Sequence, residues 1–219
     1  MTIEIATTPE GVIDTPRKTL KQKMRGFTLI ELGIVLTIVA ILALFAVPRV
    51  RGFLISGKVD PTATELMAAV AQLRSNTASN GATAQPYVGI TIEALARALQ
   101  NRGSALIPTV VAGAGGVVHR LGATGATVTI AAEQTGTAAN GGGAGDSFSI
   151  TFNNVSDAAC PGLASALQAQ TEVTTINGSA NVARSTGNNL VAAVTPFNGT
   201  TAQTFCTAGD TNTFVFTFR

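Results

Sequence analysis

The feature that most constrains this chain is an apolar run of 21 residues, Phe27 to Val47, whose only charged member is Glu31. At about 1.5 Å of rise per residue, a helix of that length spans a hydrocarbon core of roughly 30 Å. A carboxylate inside such a span costs about 2.5–3.5 kcal/mol on insertion scales, so it requires a partner or a function. The run therefore predicts a membrane-spanning helix in which Glu31 has a specific role.

Two ordinary explanations of the run account for less of it. A secretory signal has a shorter apolar core of about 7–15 residues and would not contain Glu31. A simple membrane anchor explains the length, but neither Glu31 nor the glycine between Arg25 and Phe27. Five basic residues precede the run and predict that its N-terminal side stays in the cytoplasm: Arg17, Lys18, Lys21, Lys23 and Arg25.

The stretch Arg25-Gly26-Phe27-Thr28-Leu29-Ile30-Glu31 resembles the class III leader of type IV pilins and their relatives. The resemblance implies that a membrane peptidase cuts between Gly26 and Phe27 and that Phe27 is then N-methylated. It also implies that Glu31 accepts the amine of Phe27 from a neighbouring subunit during assembly. The local alternative is that Glu31 only neutralises its own N-terminus and helix dipole. Pro48 lies where pilins carry a helix-bending proline.

The net charge of +2 belongs to the leader rather than to the rest of the chain. Of 14 Lys and Arg and 12 Asp and Glu, five and three lie in residues 1–26, which leaves nine of each beyond it. The basic residues therefore set membrane topology and do not form a broad surface for nucleic acid. We expect no nucleic-acid partner.

Four segments are predicted along the chain. Residues 1–26 form a cleaved cytoplasmic leader, 27–48 a transmembrane and assembly helix, 49–80 its amphipathic continuation, and 81–219 an exported globular domain. Pro48 removes one intrahelical hydrogen bond and predicts a kink, and a second interruption is expected near Pro61. In the continuation, an apolar stripe at helical spacing predicts packing on a sheet: Ala63, Leu66, Met67, Val70 and Leu73.

The globular part reads as α+β, a long N-terminal helix packed on an antiparallel sheet. Short helices are predicted at 91–101 and 160–170, and strands at 128–130, 147–153 and 213–219. The glycine-rich residues 113–145 are expected in exposed loops. Asn154, Asn177 and Asn198 match glycosylation acceptors but are interpreted as turn residues.

The two cysteines, Cys160 and Cys206, are predicted to pair if this part of the chain is exported to an oxidising compartment. Reactive free thiols are the alternative. The long leader and the C-terminal region bounded by these cysteines resemble type IVb pilins. The stretch from Ile150 to Cys160, with the Phe-rich C-terminus, is similar to the thin-pilus (PilS-like) pilins of conjugative plasmids and enteric bacteria.

The resemblance implies a structural subunit that polymerises into a surface filament for adhesion, aggregation or conjugative contact. Its expected partners are other pilin subunits, the prepilin peptidase, an inner-membrane assembly platform and a cytoplasmic ATPase. The expected location is the inner membrane, with the C-terminal part outside, and then the extracellular pilus. A type II secretion pseudopilin and a minor or tip pilin that binds a ligand remain alternatives.

Catalysis is not expected from the sequence. The Gly145-Asp146-Ser147 stretch continues with Phe148, which departs from the hydrolase signature, and His119 is the only histidine. The glycine run at 141–145 lacks the Gly-Lys-Ser/Thr of a phosphate loop. No C-x-x-C spacing occurs. We therefore expect no catalytic residues, no cofactor and no metal.

Overall fold

The computed structural model describes residues 26–78, 85–111, 115–122, 125–134, 143–180 and 198–219. Apart from Gly26, the predicted leader lies outside these residues. The chain divides into two compact units, Met1–Ala43 and Leu44–Arg219. The boundary between the units lies within the first helix, α1 (Leu29–Ser56).

The apolar run forms most of α1. Within the described residues, one helical stretch, Leu29–Thr77, is long and apolar enough to cross a membrane by length and composition. Its most apolar 18-residue window has a mean hydropathy of 2.7, and none of that window is buried. These properties agree with the predicted membrane helix.

The helix is interrupted one turn before Pro61, at Gly57 and Lys58, and resumes as α2 (Val59–Ala78). Pro61 has no N–H to donate to the carbonyl four residues earlier, that of Gly57, so the α-helical pattern cannot continue there. The Lys58 N–H instead bonds to the Ile55 carbonyl, three residues back, at 3.0 Å. Pro61 itself lies in the first turn of α2, where proline is tolerated. Helix α1 continues through position 48, and a kink at Pro48 stays a prediction.

The described strands form one antiparallel sheet of seven, in the order β1-β2-β3-β4-β7-β5-β6. Their bounds are β1 Leu106–Thr109, β2 Gly116–His119, β3 Thr127–Glu133, β4 Ser147–Val155, β5 Val173–Ile176, β6 Ser179–Ala180 and β7 Asn212–Phe218. Three short helices complete the fold: α3 (Ile92–Leu99), α4 (Cys160–Leu167) and α5 (Gly199–Thr204). The predicted α+β class is confirmed. Strands β1, β2, β5 and β6 and helix α5 were not predicted.

The core lies between one face of the sheet and the amphipathic helix α2. At its centre, β4 and β7 place fully buried residues opposite each other: Phe148 with Phe218, Ile150 with Phe216 and Phe152 with Phe214. From α2, Leu66 and Val70 are fully buried against this cluster, while Met67 is only partly buried at its margin. The predicted apolar stripe is therefore the core-facing side of α2.

The second face of β4 is more buried than a half-exposed strand would be. Ser147 and Ser149 are both buried, although they alternate with the core-facing residues. Their hydroxyls are satisfied, because Ser147 donates to Asp146 Oδ1 at 3.0 Å and Ser149 donates to Glu133 Oε1 at 2.7 Å. Buried hydroxyls without such partners would be destabilising.

Candidate processing and assembly site

The predicted cleavage position lies immediately before α1. Phe27 has 83% of its surface exposed. A side chain built at Gly26 would meet no atom within 4 Å in the described chain, so this position is sterically open. The absence of a Cβ at Gly26 gives a peptidase room beside the bond. Cleavage between Gly26 and Phe27, with methylation of Phe27, stays a prediction.

Thr28 and Glu31 form the N-terminal cap of α1. Thr28 precedes the first helical residue, and its Oγ1 accepts a hydrogen bond from the Glu31 N–H at 3.2 Å. The spacing is that of a capping box, a signal the sequence analysis missed. This bond uses the backbone of Glu31, and the side chain remains exposed. The carboxylate lies in the first turn, where the helix dipole favours negative charge.

The side chains that follow have no apolar partner on any side of α1. Each of these residues is at least 50% exposed: Leu29, Ile30, Leu32, Ile34, Val35, Leu36, Ile38, Val39, Ile41, Leu42, Leu44, Phe45 and Val47. A helix that is apolar all round belongs in a membrane or inside an assembly. An exposed apolar surface of this extent is a contact surface rather than a solvent-facing one.

The predicted disulfide is present. Cys160 at the start of α4 is bonded to Cys206, which follows α5, with the two Cα atoms 6.1 Å apart. These are the only two cysteines of the chain, so neither is a free thiol. Closing a loop with a sequence separation of 46 residues stabilises by about 4 kcal/mol in the chain-entropy model.

A buried asparagine connects the disulfide-bounded region to the sheet. Asn212, the first residue of β7, is fully buried. Its Nδ2 donates to the carbonyls of Val155 at 3.1 Å and Thr207 at 2.9 Å. Its Oδ1 accepts from the Thr207 N–H and from Asn177 Nδ2, both at 2.8 Å. Sequence reasoning missed this residue because its partners are mostly backbone groups distant in the chain.

The single histidine has a structural role. His119 is buried at the end of β2, where its ring lies against Phe152 with centroids 5.3 Å apart. Nε2 lies 2.8 Å from the Asn153 carbonyl, and Nδ1 accepts from the Leu121 N–H at 3.2 Å. Both partners are satisfied by the neutral ring with its proton on Nε2. Burial lowers the pKa of His119, and the hydrogen bond to the Asn153 carbonyl offsets part of that effect.

The structure does not bring His119 to the serine of the hydrolase-like stretch. His119 contacts β4 at Asn153, six positions from Ser147, which is about 20 Å along a strand. Ser147 is fully buried and bonded to Asp146. Within the described part of the chain, no three His, Cys, Asp or Glu side chains are grouped so that they could hold a metal ion.

The three potential glycosylation positions are turn or cap residues, as interpreted from the sequence. Asn154 and Asn177 have positive φ angles of 60° and 50°. Their amide groups donate to the carbonyls of Gly125 at 2.9 Å and Phe205 at 2.8 Å, respectively. Asn198 caps α5 by accepting from the Thr200 N–H at 2.9 Å.

Comparison with known proteins gives two family matches. Residues 59–219 match the family described as PilS N terminal, and residues 21–47 match the prokaryotic N-terminal methylation motif. A search of curated proteins found no match. Among solved structures, the chain is similar to a type IV b pilin from Salmonella typhi, with 20% sequence identity and a TM-score of 0.43. That similarity covers 71% of this chain and 98% of the other.

Proposed function

The chain belongs to the PilS N-terminal family and is a pilin, and from this premise we propose that it is the precursor of a type IVb pilus subunit. In this proposal the precursor is cut between Gly26 and Phe27, N-methylated on Phe27, and polymerised into a surface filament. The observation that carries the proposal is the combination of the methylation motif over residues 21–47 with the family match over residues 59–219. The family favours a pilus subunit over a secretion pseudopilin.

Processing is supported by the geometry at the start of α1. Gly26 leaves open space beside the peptide bond, and Phe27 is exposed ahead of the first helical turn. Cleavage creates a charged amine on Phe27, four residues from Glu31. Because this amine is at the positive end of the helix dipole, a carboxylate close to it is favourable.

Assembly is supported by the exposed apolar surface of α1. Lipid tails are as apolar as this surface, so transfer from lipid to a helix bundle depends on close packing and polar contacts rather than on the hydrophobic effect. A carboxylate–ammonium pair is such a contact, and its strength increases where water is excluded. We propose that Glu31 of an incoming subunit accepts the Phe27 amine of a neighbour and sets its register.

The partners and location follow from this route. Before assembly the subunit lies in the inner membrane, with residues 1–26 in the cytoplasm and the C-terminal unit outside. The prepilin peptidase, an inner-membrane platform and a cytoplasmic ATPase act on it, and the chain itself is not an enzyme. The filament then serves adhesion, aggregation or conjugative contact.

The test is the intact mass of the subunit recovered from filaments sheared off cells. We expect the dominant species to begin at N-methylated Phe27 and to be two hydrogens lighter than the reduced chain. The matched control is a strain without the peptidase, in which the Met1 form should accumulate in membranes. Recovery of the Met1 form from cells with active peptidase would refute the proposal. A processed form found only at trace level would assign a minor subunit instead.

A further inference from the structure

The end of α1 is held on the C-terminal unit by one of its faces. Arg51 forms an ion pair with Asp210, and Ile55 is buried, with 6% of its surface exposed. The Ser56 hydroxyl lies 2.9 Å from the Ala158 carbonyl, to which it can donate a hydrogen bond. Gly52 is close enough to Ala158 that a Cβ on the glycine would lie 3.6 Å from the alanine Cβ.

The residues that receive α1 come from two segments that the disulfide joins. Ala158 lies two residues before Cys160, and Asp210 lies four residues after Cys206. The two segments are also linked directly, because the Asp157 N–H donates to the Gly209 carbonyl at 2.9 Å. We refer to Ala158 and Asp210 together as the α1 seat. Neither segment alone provides both contacts.

The opposite face of the same turns of α1 is apolar and exposed. Val50, Phe53 and Leu54 are 55%, 80% and 58% exposed, respectively. Successive residues of a helix are rotated by about 100°, so the contacts of Arg51, Ile55 and Ser56 with the C-terminal unit determine which side chains point away from it. The seat therefore fixes the direction in which Phe53 is presented.

We propose that the Arg51–Asp210 pair is a positioning contact for filament assembly and that the Cys160–Cys206 disulfide is required to form its seat. This inference rests on the proposed function, in which exposed apolar surface of α1 contacts a second copy of the chain. The Arg51 side chain is 55% exposed and that of Asp210 is 18% exposed. Pairs with this degree of exposure contribute little to overall stability. The role of the pair is thus the orientation of α1, and its loss leaves the core of the C-terminal unit folded.

The first test is amide hydrogen exchange of the full chain in detergent micelles. In Asp210→Asn we expect exchange at residues 52–56 to rise by about two- to fivefold, the range that an exposed ion pair supports. Arg51→Asp should do the same, and the double variant Arg51→Asp with Asp210→Arg should restore protection. Arg49→Gln, which removes an exposed arginine two positions away, is the matched control and should leave exchange unchanged. Reduction of the disulfide should also raise exchange at residues 52–56.

Unchanged exchange in Asp210→Asn, or failure of the charge exchange to restore protection, would overturn the assignment of the pair. Unchanged exchange at residues 52–56 after reduction would overturn the disulfide requirement.

The second test is filament yield from cells in which the processed subunit reaches wild-type levels. We expect Asp210→Asn to lower the yield and the charge-exchanged double variant to recover it. Normal yield from Asp210→Asn would overturn the role in assembly while leaving the proposed function intact, since filaments form. Absence of filaments from the wild-type chain would refute the proposed function, and the exchange measurement would then decide on the seat by itself.

Discussion

Replacement of Asn212 by alanine should destabilise the C-terminal unit more than the size of the side chain implies. Asn212 is fully buried and makes hydrogen bonds in three directions, to Val155, Thr207 and Asn177. Alanine leaves the Val155 carbonyl, which belongs to a fully buried residue, without this donor. Thr207 and Asn177 are exposed residues, so water can replace part of what they lose.

Each buried polar group left without a partner costs about 1–3 kcal/mol. With one such group fully buried and the others partly rehydrated, we expect a loss of about 2–4 kcal/mol in the free energy of unfolding. For a chain of this size, that lowers Tm by roughly 5–15 °C. The effect is comparable to the contribution of the disulfide, because both hold the 206–211 segment against the sheet.

The measurement is thermal unfolding of the oxidised full chain in detergent, followed by circular dichroism. Asn212→Asp is the informative companion, since it keeps the shape and the acceptors but loses the donors. Its carboxylate would face the Val155 and Thr207 carbonyls, so Asn212→Asp should be destabilised at neutral pH and should recover partly where the carboxyl is protonated.

Asn153→Ala is the matched control, because its side chain makes only a 3.5 Å contact with Thr127 Oγ1. It should change Tm by less than about 3 °C. A Tm of Asn212→Ala within 2 °C of the wild-type value would refute the reasoning.

Three further predictions concern other parts of the chain. First, burial lowers the pKa of His119 in the folded state, so its contribution to stability is fully present above the unfolded pKa of about 6.5 and is lost as pH falls from there toward the folded pKa. Because it is the only histidine, Tm should fall between pH 7.5 and 5.5, and His119→Gln should remove most of that slope; an equal slope in both would contradict the assignment. Second, Gly103→Ala should destabilise by about 1–3 kcal/mol in denaturant unfolding, because the new Cβ would overlap the Glu65 carboxylate that accepts from the N–H groups of Ala105 at 3.1 Å and Leu106 at 2.8 Å. Gly116→Ala is its control, since that position is open, and equal effects would count against the Glu65 contact. Third, Glu31→Ala and Glu31→Gln should both be cleaved normally but give about tenfold fewer filaments, the effect of losing about 1.4 kcal/mol of pairing; wild-type filament yield with Glu31→Gln would show that the negative charge is dispensable.

The parts of the fold that the sequence predicted correctly have a strong local pattern. The apolar run of α1, the stripe of α2 and the alternating phenylalanines of β4 and β7 each repeat at the spacing of one helix or strand face. Strands β1, β2 and β5 were missed because each has only four residues. They are extended through pairing with neighbours, and a four-residue segment carries too few alternations to indicate a strand.

Interruption of the long helix shows the same division. Pro61 predicted a break, but the break lies at Gly57 and Lys58 because proline affects the carbonyl four residues before it. Glu65 was placed on the solvent side of α2 by the spacing of its neighbours. Its carboxylate instead bonds to the chain that enters β1, 40 residues away.

What the sequence determined by itself is contained in contiguous residues: the Gly26-Phe27 motif with Glu31, the length of the apolar run and the presence of two cysteines. These features act through the nature and spacing of neighbouring side chains, so no tertiary contact is needed to recognise them. Only the tertiary structure decided the Asn212 network, the environment of His119 and the seat of Arg51 on Asp210. The first two depend largely on backbone carbonyl and amide groups, and the third on an ion pair 159 residues apart in sequence. Every residue has the same backbone groups, so only the folded chain reveals which of them a side chain reaches.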